Sequence, residues 1–179
     1  ENIASHGGDA GRIFVGGWSV GGTLATLITL RRDLYGDYAL PENVIKACFS
    51  ASGGYRYLHH VPAPGNSGQT YGDIMFAHAG DDYGATALNF AAGNRTPFHI
   101  SCGAGDFEHV RSSSADLAAA LEQECGRVQY EVYEGLGHYA VHLAMGERDF
   151  PWVKTVRQWM AAPPDAQPTA RQPASSSAG

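Results

Sequence analysis

The chain has 179 residues, 44% of them hydrophobic, enough for one globular core and a squeeze for two. Lys and Arg number 12 against 18 Asp and Glu, a formal charge of -6, so no basic stripe marks a nucleic-acid footprint or an attraction to anionic lipid. No apolar run approaches the ~20 residues of a membrane span, and a small neutral or cationic partner fits the charge better. Cys48, Cys102 and Cys125 are odd in number and lack a C-x-x-C spacing, so they read as buried reduced thiols.

In chain order, Arg12 to Trp18 reads as a short buried strand. Val20 to Tyr35 reads as a helix, with Val20, Leu24, Leu27 and Ile28 at helical spacing and Gly36 as its stop. Val44 to Ser52, Pro97 to Gly103 and Val128 to Gly135 read as further strands. A helix is expected over Ser112 to Cys125 behind a Ser-rich cap, and another from Pro151 to Ala161. This alternation predicts an α/β fold, a mostly parallel sheet flanked by helices. The interval Gly53 to Asn94 is too long for an ordinary connection and is expected to be a lid-like insertion over the strand ends. The stretch after Ala161, rich in Pro, Ser and Ala, is excluded from the folded domain (1–161) as a disordered tail (162–179). The first residue is Glu1 and no targeting segment precedes the first motif, so the chain reads as cut at its start.

The chemistry centres on Gly17-Trp18-Ser19-Val20-Gly21. A bare G-x-S-x-G is weak evidence, since chance supplies about 0.2 copies in so glycine-rich a chain. Here a strand precedes it and a helix follows, which is the context a displayed serine nucleophile requires. The Val20 N–H then sits where an oxyanion would develop, at the positive end of the helix. A serine hydroxyl needs a base, and the base an acid, both at later strand ends. Asp106 follows the third strand and His138 the fourth, in the order serine, acid, histidine. Glu108 and His142 stand as competitors for the two roles. His138 and His142 also match an H-x-x-x-H metal spacing, but Tyr139 occupies the place of the glutamate in H-E-x-x-H, and no metal or other cofactor is expected. Asp81-Asp82 reads as solvated turn chemistry, and His59, His60, His78 and His109 as polar loop residues. Trp18, Tyr55 and Tyr57 are candidate substrate-binding walls, with Tyr71 beside them, although each tyrosine could equally be packing.

Three stretches carry a resemblance. "ENIASHGGDAGRIFVGGWSVGGTLA" resembles the approach to the nucleophile in α/β-hydrolase carboxylesterases, where a helix ends in a "GGD" turn before the nucleophile strand. "CGAGDFEHV" and "EGLGHYAVH" are similar to the acid and histidine loops of that superfamily. Among the branches of that superfamily, the stretches look similar to bacterial esterases and the related kynurenine-formamidase-like hydrolases. The resemblance implies a partial α/β-hydrolase fold lacking its N-terminal strands. It makes Ser19 the nucleophile, His138 the general base and acid, Asp106 its orienter and Val20 an oxyanion donor. Trp18 and Val20 depart from the residues usual beside the serine, and the upstream "HGG" oxyanion loop is missing. The natural protein is therefore expected to be longer.

The expected activity is hydrolysis of a small-molecule ester through an acyl-enzyme, without a nucleic-acid or membrane partner. An amidase or peptidase with the same residues, or a catalytically silent binding module, are the alternatives. The sequence leaves oligomeric state open, and among compartments slightly favours the cytoplasm.

Overall fold

A computed structural model describes residues 2–63, 65, 68–124 and 127–161. The expected tail and Cys125 lie outside them. Four strands form one sheet: β1 (Ile13–Trp18), β2 (Ile45–Ala51), β3 (Phe98–Gly105) and β4 (Val128–Gly137). They pair in the order β1-β2-β3-β4 and every pair is parallel, so all four carboxyl ends lie at one rim. Four longer helices accompany them: α1 (Val20–Leu30), α4 (Glu108–Glu122), α5 (His138–Ala144) and α6 (Pro151–Ala161). Two short helices, α2 (Tyr71–Ile74) and α3 (Asp81–Ala85), lie within the long crossover between β2 and β3.

Strand side chains alternate between two apolar layers, as the two-residue repeat requires. Val15, Cys48, Phe98, Ile100, Val128 and Tyr130 face α1 and α4, where Ala25, Leu30, Leu117 and Leu121 complete the larger cluster. Phe14, Ala47 and Phe49 face α6 and meet Trp159 and Trp152. Leu117 and Leu121 are fully buried, each contributing about 1.5–3 kcal/mol by leaving water.

Two expectations are corrected. The helix after Ser19 ends at Leu30, not Tyr35, and two short 3-10 turns follow, Arg32–Leu34 and Gly36–Tyr38. Tertiary bonds displace the local signal at Arg32, which donates to the carbonyls of Gly93 and Ala92, while the buried Tyr35 turns its hydroxyl back to Ile28 O in α1. The next helix begins at Glu108, four residues before Ser112, so Asp106 is separated from it by Phe107 alone. The crossover is rooted in the core at both ends, through Tyr55 near its start and Ala87 and Ala91 near its close, with Tyr57, Ala63 and Tyr71 forming a small cluster between.

Among the described residues β1 has a strand partner on one side only, and the adjoining face of α1 is apolar and open. Val20, Leu24 and Ile28 are exposed there, lining or flanking a groove of about 480 Å³.

No helix among the described residues is long and apolar enough to cross a membrane.

Candidate active site

Ser19 occupies the single residue between β1 and α1. Its backbone takes φ 55° and ψ -126°, a conformation costly for any residue with a Cβ and one found where a fold holds a side chain in place. Two backbone bonds hold it, from Ser19 N–H to Ala51 O at 2.9 Å and from Thr23 N–H to Ser19 O at 3.0 Å. The close strand-to-helix crossing depends on Gly17, where a Cβ would run into the Gly21 backbone. Gly22 is equally confined, a Cβ there falling 2.8 Å from Ser50 Oγ, whereas one on Gly21 would meet nothing. The second essential glycine is therefore Gly22, one position beyond the G-x-S-x-G pattern.

Val20 opens α1, so its N–H has no intrahelical acceptor and stands at the positive end of the helix dipole, one residue after Ser19. Its side chain is exposed.

His138 follows β4 directly, as the strand order predicts, and is the first residue of α5. Its Nε2 is 3.0 Å from Ser19 Oγ and its Nδ1 is 2.7 Å from Asp106 Oδ1. A carboxylate only accepts, so Nδ1 carries the proton and Nε2 is left to accept from the Ser19 hydroxyl. The ring is packed between Trp18 at 4.7 Å and Phe107 at 4.8 Å, centroid to centroid, with the Tyr139 edge at 5.4 Å.

Asp106 follows the last residue of β3, and its carboxylate is fully buried. Oδ1 also accepts the Phe107 N–H at 2.8 Å, and Oδ2 accepts the Ser52 hydroxyl at 2.6 Å. The three side chains separated widely along the chain thus form one continuous hydrogen-bonded relay, Ser19 to His138 to Asp106. Such a relay can take the proton of an attacking hydroxyl and return it to a leaving group.

Of the competitors, Glu108 lies on α4, exposed and paired with Arg111. His142 lies on α5, exposed, and its ring stacks on Trp18 at 4.5 Å. His109 falls in the first turn of α4 and stacks on Phe107; burial pushes its imidazole pKa down, with the Asp106 charge opposing. Asp81 and Asp82 accept the backbone N–H groups of His78 and His59.

Trp18 packs on His138, and its indole N–H donates to His138 O at 3.1 Å. Tyr55 and Tyr57 do not wall a pocket. Tyr55 is wholly inside the core with its hydroxyl 2.6 Å from Ser50 Oγ, and Tyr57 is buried edge-on against Tyr71. Their rings supply the apolar bulk that the glycine-rich start of the crossover lacks. Ser52 and Phe107 escaped the sequence reading. The small-residue run Ala51-Ser52-Gly53-Gly54 at a strand end was the available signal for the first, and adjacency to Asp106 for the second.

No protein-family model matches the sequence, and no curated protein matches it. Solved structures do. An esterase from Pyrobaculum calidifontis superposes with a TM-score of 0.66 at 18% identity, over 89% of this chain and 55% of that one. A thermostable carboxylesterase cloned from a metagenomic library gives 0.65 at 18%, over 90% and 59%. An acylaminoacyl peptidase from Pyrococcus horikoshii gives 0.60 at 16%, over 87% and 24%. Four parallel strands flanked by helices, with these neighbours, define a partial α/β-hydrolase fold. The chain spans little more than half the length of the esterases and a quarter of the peptidase.

Proposed function

We propose that this chain carries the catalytic residues of a serine hydrolase acting on small carboxylic esters. One observation carries the reading: a single imidazole stands 3.0 Å from Ser19 Oγ and 2.7 Å from a buried carboxylate. Ser19 Oγ attacks the ester carbonyl while His138 Nε2 takes its proton, and the Val20 N–H meets the oxygen as it becomes negative. Collapse breaks the bond to the alcohol, which leaves with the proton from His138, and Ser19 keeps the acyl group. Water then attacks that acyl-serine, giving its proton to His138, and the acid departs as Ser19 is restored. Asp106 keeps accepting from Nδ1 and so steadies the imidazolium. Trp18 and Phe107 hold the ring between them.

Hydrolysis of a p-nitrophenyl ester, together with labelling by a fluorophosphonate, tests this directly. Both are expected with the native residues and neither with Ser19→Ala; turnover that survives the substitution, or a native Ser19 inert to the phosphonate, rejects the reading.

Amide cleavage is the second reading, favoured by the likeness to an acylaminoacyl peptidase. Parallel assays on an aryl ester, an N-formyl aromatic amine and a prolyl peptide separate the two. The open edge of β1 and the apolar face of α1 support a further element of the proposal, that the whole protein contributes more sheet at that edge. A sharp cooperative melt as a monomer, with turnover equal to that of full-length hydrolases, would count against it.

A further inference from the structure

The buried carboxylate of Asp106 has two oxygens with different duties. Oδ1 is engaged by His138 Nδ1 and by the Phe107 N–H. Oδ2 points away from the histidine, and its partner among the described residues is the Ser52 hydroxyl at 2.6 Å. With no accessible surface on the Asp106 side chain, water does not stand in for that donor, and a charged oxygen left bare in the interior is strongly disfavoured.

Ser52 is itself held in an unusual way. It is buried, its N–H donates to Ser101 O at 2.7 Å, and its φ is 51°. That left-handed conformation suits glycine, and two glycines follow at once, yet a side chain is kept here. The preceding residue, Ala51, accepts the Ser19 N–H. The end of β2 therefore touches both ends of the relay, holding Ser19 through a backbone carbonyl and Asp106 through a hydroxyl.

We propose that Ser52 is a positioning residue. Its hydroxyl stops rotation of the Asp106 carboxylate, so that Oδ1 stays aimed at His138 Nδ1 and His138 at Ser19. The proposal rests on the hydrolase reading above for its kinetic consequence, though the geometry it asserts is independent of turnover.

Three variants of the full chain test it. Ser52→Ala removes the hydroxyl and keeps the backbone cost, Ser52→Gly removes the hydroxyl and relieves that cost, and Ser52→Thr keeps a hydroxyl. Ala and Gly are expected to lower kcat by about 10- to 100-fold with KM changed less than about twofold, because Ser52 touches no substrate. Thr is expected to retain more of kcat than Ala. In proton NMR the downfield Nδ1–H resonance of His138 should move upfield and broaden in the Ala and Gly variants. The Gly variant should melt no lower than the Ala variant, which separates the hydroxyl from any backbone role. Native kcat and a native Nδ1–H resonance in Ser52→Gly would overturn the proposal, as would a loss expressed in KM alone. If the unsubstituted chain turns over no ester, the hydrolase reading fails, and the resonance still decides the role of Ser52.

Discussion

Trp18 and His138 are joined twice: the indole N–H bonds the His138 carbonyl at 3.1 Å, and the two rings lie 4.7 Å apart. The last residue of β1 thereby orients the first residue of α5, across the Ser19 turn. Trp18→Phe keeps the ring contact and loses the hydrogen bond, which is expected to cost about 1 kcal/mol of stability and lower kcat several-fold. Thermal melts and ester kinetics measured together check this, and unchanged kcat would show that packing alone holds the ring.

The two histidines of α5 should behave differently. His138→Ala is expected to reduce kcat to the level of Ser19→Ala, since both remove parts of one unit. His142 is exposed and stacked on Trp18, away from the Ser19 hydroxyl, so His142→Ala should keep kcat within about threefold. A kinetic comparison of the two, at matched circular dichroism, separates base from bystander.

Asp106→Asn tests the tautomer. An amide nitrogen placed toward Nδ1 donates where the carboxylate accepted, which shifts the ring proton to Nε2 and blocks acceptance from Ser19. A fall in kcat of about 10³- to 10⁴-fold is expected, with little change in fold. Glu108→Gln should leave kcat unaltered, because that carboxylate pairs with Arg111.

The glycines around Ser19 are not equivalent. Gly17→Ala drives a methyl into the Gly21 backbone and should destabilise the chain by several kcal/mol, about 3 or more, or prevent folding. Gly21→Ala meets no atom, and its helical position should stabilise by about 0.5–1 kcal/mol. Denaturant midpoints measured for both decide whether close approach, rather than the motif as written, sets the requirement.

A buried imidazole makes stability depend on pH. His99 on β3 is fully buried, with Glu131 Oε2 at 3.4 Å; burial lowers its pKa and the Glu131 charge opposes. Below its ordinary value of 6.5 the unfolded chain binds a proton that the folded chain rejects. Stability should therefore fall as pH drops through that value, by at most about 1.4 kcal/mol per pH unit. Burial raises the Glu131 pKa, but hydrogen bonds from Gln129 and Tyr133 and the nearness of His99 outweigh it and leave it low, so its contribution is lost only in more acid solution. His99→Gln should flatten the dependence of the melting temperature between about pH 7.5 and 5.5. An unaltered slope would place the titration elsewhere.

Much of this architecture was legible because it is written locally. The four strands and the helix over Pro151–Ala161 appear within two residues of where periodicity puts them. Helix ends were less legible: α1 stops at Leu30, and Arg32 finds partners some sixty residues away that a capping pattern does not encode. The tyrosines failed for a related reason. A loop rich in Gly and Tyr looks the same whether its rings enter the core, as Tyr55 does, or line a surface cleft.

By itself the sequence determined the alternation of strand and helix, and the strand-serine-helix turn at residue 19, since both follow from short-range repetition and from where small residues permit a sharp bend. Only the tertiary structure decided which carboxylate meets His138, that Ser52 holds it from behind, and that Gly22 rather than Gly21 is the confined glycine. Those outcomes depend on parallel strands bringing residues from four separate segments to one rim, and a separation along the chain carries no information about which side chains will touch there.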